Sequence, residues 1–70
     1  MKPHYSILIQ WSDADQCYIA SLPEFGAFAK THGETYEQAL RNAQTVLGLL
    51  VEETEPLPAP AVYEMTHPAA

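Results

Sequence analysis

The run from Thr35 to Val51 limits this chain more than any other feature. Tyr36, Ala39, Leu40, Ala43, Val46, Leu47, Leu50 and Val51 recur at steps of three and four residues. That spacing gathers them on one side of an α-helix. Thr35 stands where an N-cap belongs, with Gln38 three residues later, the spacing of a capping box. Glu34 and Glu37 lie at the positive end of the helix dipole, where acidic side chains are favourable. The pattern predicts a helix over about 36–53. A helix with one apolar stripe must bury it against a second layer. With 70 residues in all, the chain has room for one such pairing and one domain, 1–70.

The second layer is read from the N-terminal half. Tyr5, Ile7, Ile9 and Trp11 alternate with Ser6, Leu8 and Gln10, which predicts a strand over about 4–11. Ser12-Asp13-Ala14-Asp15-Gln16 is turn chemistry, because Asp side chains bond nearby backbone amides. A second strand is expected over 17–22 and a third over 27–31, separated by the break Pro23-Glu24-Phe25-Gly26. The fold class is therefore α+β: a three-stranded antiparallel meander with one long helix on one face, β-β-β-α. Gly48 costs the helix about 1 kcal/mol against Ala and is expected to admit a close approach from a neighbouring group. Pro56-Leu57-Pro58-Ala59-Pro60 reads as an extended spacer, since its prolines alternate and do not form PxxP. Residues 61–65 could add a short fourth strand, closing the sheet edge or pairing with a second copy, and 66–70 reads as a loose tail.

Charge narrows the function. Three basic residues stand against nine acidic ones, a net charge of −6. Lys2, Lys30 and Arg41 are too few and too scattered for a phosphate-binding surface, so direct nucleic-acid or anionic-membrane binding is not expected. No secretory signal and no apolar run of membrane-spanning length is visible, and with the lone Cys17 the cytoplasm is the expected compartment. His4, His32 and His67 lack the spacing of a zinc site. Asp13 and Asp15 fit a hairpin turn better than a calcium loop, and His32 reads as a loop residue. Cys17 sits in an acidic chain with no adjacent base, which fits a structural thiol better than a nucleophile. No catalytic residue, metal ligand or cofactor site is assigned. A fold this small, without disulfide or metal, is expected to gain stability by self-association.

The ordered features resemble the HicB-like antitoxin family of type II toxin–antitoxin systems. The residues that carry the resemblance are Tyr5-Ser6-Ile7-Leu8-Ile9, the acidic turn Asp13-Ala14-Asp15, Tyr18-Ile19-Ala20 and Leu22-Pro23-Glu24-Phe25-Gly26. With them come Gly33-Glu34-Thr35-Tyr36-Glu37-Gln38-Ala39-Leu40-Arg41-Asn42-Ala43, similar to the family signature G-[DE]-T-x-x-E-A-x-x-N-[AG], and Leu57-Pro58-Ala59-Pro60. The resemblance spans roughly residues 4 to 62. It implies a degraded RNase H-like fold, dimers or tetramers, and a partner: a small basic ribonuclease of HicA type whose RNA-cleaving surface is occluded. It departs from the family at three places. Gln16 stands where the first turn often has Gly. Gln38 replaces the glutamate before the signature alanine. No DNA-binding module is read after residue 70, so the expectation is a solo domain and operon autorepression is not implied.

Two function classes and one minor rival follow. The first is an antitoxin-like, non-enzymatic binding module whose acidic residues Glu24, Glu34, Glu37, Glu52 and Glu53 steer a basic ribonuclease. The acidic helix end, Glu52, Glu53 and Glu55, also reads as a solvated helix terminus. The alternative is an orphan homo-oligomeric structural or regulatory domain with no toxin partner, contacting its copies through an edge strand or through Val62 and Tyr63. The minor rival is a small metal-dependent hydrolase.

Overall fold

The computed structural model describes residues 4–64. Three strands, β1 (Leu8–Ser12), β2 (Cys17–Ser21) and β3 (Lys30–Gly33), form one antiparallel sheet in the order β1-β2-β3, and a single helix, α1 (Tyr36–Glu53), follows. The β-β-β-α arrangement and the limits of α1 match the sequence expectation.

The strand limits differ, for identifiable reasons. β1 begins at Leu8, paired with Ser21, and not near residue 4. Beyond Ser21 the ladder stops, because Pro23 has no N–H and the chain folds into a 3-10 turn over Pro23–Phe25. β3 begins at Lys30 and not at 27, because residues 26–29 form a tight turn. Gly26 takes φ 104° there and Ala29 donates to the Gly26 carbonyl at 3.3 Å. The strand then runs on to Gly33, so His32 is a strand residue and not a loop residue. Residues 61–64 are not in a strand, and Met65 and the tail 66–70 lie outside the described residues.

β1 and β2 are joined by the turn 13–16. Ser12 donates its hydroxyl to Asp15 at 3.0 Å, and the Gln16 amide donates to the Ser12 carbonyl at 2.8 Å. Gln16 closes the turn at φ 54°, the left-handed region that favours glycine. Its side chain compensates in part, donating Nε2–H to the Asp13 carbonyl at 2.9 Å.

α1 is capped as its sequence predicts. Thr35 Oγ1 accepts from the Gln38 amide at 3.0 Å. The return bond reaches one residue earlier than in a standard capping box: Gln38 Oε1 accepts from the Glu34 amide at 2.6 Å.

The core between sheet and helix is built on small residues. Ala20, Leu22, Ala39 and Ala43 are fully buried, with Ile7, Ile9, Tyr18, Phe25, Val46, Leu47 and Leu50 packed around them. Gly33 is buried where β3 meets the start of α1. A Cβ there would lie 2.7 Å from Ala39 Cα and 2.8 Å from the Gln38 carbonyl carbon, both backbone atoms. Gly33 therefore holds the close approach that the sequence suggested for Gly48. A Cβ at Gly48 meets nothing within 4 Å. The helix lies over β3 and β2 and only grazes β1.

Two expectations follow for urea denaturation. Gly33→Ala lowers stability by about 2 kcal/mol through backbone overpacking, while Gly48→Ala raises it by up to about 1 kcal/mol. Equal effects at both positions would contradict the packing described. At the hairpin, Gln16→Gly raises stability by about 0.5 kcal/mol and Gln16→Ala lowers it, because Ala keeps the left-handed strain and loses the side-chain bond.

Candidate functional site

Among the described residues the most connected polar group is the Glu24 carboxylate. Where the β1–β2 ladder stops at Pro23, the Ser6 amide needs an acceptor, and Glu24 supplies one. Ser6 N–H donates to Oε1 and Oε2 at 3.1 and 3.2 Å, and Ser6 Oγ–H donates to Oε2 at 2.9 Å. The same oxygen accepts from the Ala61 amide at 2.8 Å. The Tyr5 hydroxyl donates to the Pro58 carbonyl at 2.5 Å, and the Tyr5 ring packs edge-on against Phe25, centroids 4.9 Å apart. Glu24 thus ties the segment before β1 and the segment after α1 to the turn between β2 and β3. Burial pushes its carboxyl pKa up, but the bonds from Ala61 and Ser6 outweigh that and hold it below the ordinary 4.5.

The other four acidic candidates are exposed and fall into two groups. Glu34 and Glu37 flank the start of α1, and Glu52 and Glu53 end it. At about 1.5 Å per residue, Glu37 and Glu52 stand about 22 Å apart along the axis. Helical spacing places both on the outward stripe that also carries Arg41, with Glu53 on the flank toward β3. The last turn of α1 holds no basic residue. Val62 and Tyr63 follow directly on the Ala61 anchor and are 63% and 89% exposed. Phe28, in the turn after Gly26, is 94% exposed.

Two depressions mark the surface. One, about 580 Å³, lies on the sheet face away from the helix and is lined by Asp15, Cys17, Ile19, Lys30, His32 and Glu34, among others. It contains a thiol, an imidazole and two carboxylates, yet no three such groups among the described residues converge as metal ligands. The other, about 560 Å³, runs between Tyr5 and Ile7 on one side and Leu47, Gly48, Val51 and Glu52 of α1 on the other. Among the described residues no helix is long and apolar enough to cross a membrane.

Sequence reasoning listed Glu24 with the steering residues and missed its connecting role. The available signal was Pro23, which leaves the Ser6 amide facing a strand that has ended. Comparison with known proteins finds no matching family model, no similar curated protein and no similar solved structure.

The Glu24 bonds predict a pH effect of definite sign. The folded-state pKa is lowered, so the stabilisation is fully present above the ordinary 4.5 and is lost as pH falls through the folded value. Glu24→Gln is expected to cost about 1 kcal/mol at pH 7, with the gap to the natural protein closing in acid. Denaturant midpoints across pH 3–7 check this, and a gap constant across that range would contradict it.

Proposed function

We propose that this chain is a HicB-like antitoxin module that neutralises a small basic ribonuclease of HicA type by covering its RNA-cleaving surface. The observation that carries the reading is the ordered set of family-like motifs from Tyr5 to Pro60, which lies along a β-β-β-α frame in the order the resemblance implies. The charge distribution supports it. α1 exposes Glu37 at its start and Glu52 and Glu53 at its end, with Arg41 as its one cation, so a basic partner meets an attractive field at both ends of the helix. Inhibition is steric. The chain contributes an electrostatic guide and a rigid surface, and no group of its own takes part in chemistry. Glu24 belongs to the scaffold of this surface, while Glu34, Glu37, Glu52 and Glu53 supply its charge.

The test is to recover a small basic protein on the tagged chain from host lysate and assay both on RNA. The expected result is RNA cleavage by the partner alone and none by the complex. With that partner in hand, Glu37→Lys with Glu52→Lys slows association about tenfold at low salt and flattens its salt dependence. Unchanged association kinetics would remove the steering role. A partner without ribonuclease activity would remove the antitoxin reading.

A further inference from the structure

The groove between α1 and the segment before β1 has two fixed walls. On one side stand Tyr5 and Ile7. The Tyr5 ring packs on Phe25 and its hydroxyl bonds Pro58, while Ser6, between the two wall residues, is bonded to Glu24 through its amide and its hydroxyl. The other wall is α1. Leu47 and Val51 give it an apolar lining, and Gly48 leaves a gap between them. A Cβ at Gly48 meets nothing within 4 Å, so no contact in the fold requires glycine there. The residue costs α1 about 1 kcal/mol against Ala and keeps the groove open.

The two ends of the groove differ in charge. Gln44 lines one end and Glu52 the other. At about 1.5 Å per residue they lie about 12 Å apart along the helix axis, the span of about four extended residues. Arg41 stands one turn beyond Gln44 and repels a cation at that end. At the opposite end Glu52 is followed by Glu53 and Glu55, and the last turn of α1 holds no basic residue. The backbone adds to this. The Thr54 amide donates to the Leu50 carbonyl at 2.9 Å, and no later backbone amide among the described residues returns to α1. Pro56 has no N–H to offer the Glu52 carbonyl. The carbonyls of Val51, Glu52 and Glu53 therefore carry the negative end of the helix dipole outward.

We infer that this groove seats a short apolar segment of a basic partner, ending in an arginine or lysine whose cation lies beside Glu52. The inference rests on the binding-module reading and names the part of the partner that the module takes. Charge selects the occupant. An acidic segment sets like charge against Glu52, and a wholly apolar one covers the carboxylate and the helix carbonyls without supplying a counter-charge. A basic apolar segment does neither. Its apolar side chains lie on Ile7, Leu47 and Val51, and its long cationic side chain covers apolar surface with its stem while its head stays at the rim. The charge difference also fixes direction, with the neutral end toward Gln44 and Arg41. Glu24 gains a second consequence. By holding Ser6 it holds the groove wall, so the occupant meets a preformed site and less order is lost on binding.

The test is a nuclear magnetic resonance titration of the full chain at low salt with the peptide acetyl-Leu-Val-Leu-Arg-amide. The same peptide with citrulline, the neutral isostere of arginine, is the comparison. The arginine peptide is expected to shift the amides of Ile7, Leu47, Gly48 and Val51 and to bind about threefold more tightly than the citrulline peptide. Glu52→Gln removes that preference, and Glu37→Gln, at the far end of α1, leaves it. Gly48→Leu fills the groove and favours the helix. It is expected to weaken both peptides at least about fivefold with an unchanged circular dichroism spectrum. No shift at those amides, equal affinity for the two peptides, or equal loss of preference in the two glutamate variants would overturn the inference. So would a folded Gly48→Leu chain that binds as the natural one does. The peptides need no ribonuclease, which separates this inference from the antitoxin reading. A ribonuclease recovered from lysate and held equally well by Gly48→Leu overturns the groove and leaves that reading standing. Peptide binding with the expected preference, where the recovered partner has no ribonuclease activity, supports the groove and removes the antitoxin reading.

Discussion

The structure depends on how closely one helix approaches one sheet. Gly33 brings the start of α1 against the end of β3, and Ala20, Ala39 and Ala43 let the layers close without large side chains between them. Among the described residues Leu22 is the one large side chain that is fully buried. An interior built this way is well defined but thin. Hydrophobic stabilisation scales with the apolar area removed from water, at about 25 cal/mol per Å², and small residues remove little. The larger apolar groups, among them Trp11, Leu8, Tyr36 and Leu49, stay at the margins.

That arrangement explains why the ends of the chain are tied so deliberately. A three-stranded sheet with one helix cannot hold the segments before β1 and after α1 by burial alone. Glu24 holds both with a single carboxylate, and Tyr5 adds its hydroxyl and ring. The ladder breaks at Pro23, and the side chain of the next residue restores the missing acceptor.

Local signals in the sequence were enough for much of this fold. The helix was legible because its cap, stripe and length all appear within contiguous residues, and the first hairpin because Asp13 and Asp15 interrupt a clear alternation. The limits of β1 and β3 were not, because they depend on pairing: β1 waits for a partner that Pro23 removes, and β3 is delayed by the turn that Gly26 opens. Gly33 and Gly48 read alike in one dimension. Only the position of the helix over the sheet distinguishes the glycine that a neighbour requires from the one facing open space. The acidic residues were easily picked out, but their grouping was not. Glu24 belongs to the scaffold, and the others divide between the two ends of α1.

The exposed features fit the proposed role as a binding module. Its helix offers charge, and its edge strand and marginal side chains offer area. The measurement that tests this most directly is thermal unfolding over a wide range of protein concentration. If assembly completes the thin interior, Tm rises steadily with concentration, as mass action requires when the folded state is a complex. A Tm independent of concentration, with full stability in dilute solution, would show that the small-residue core is sufficient by itself and would contradict the account.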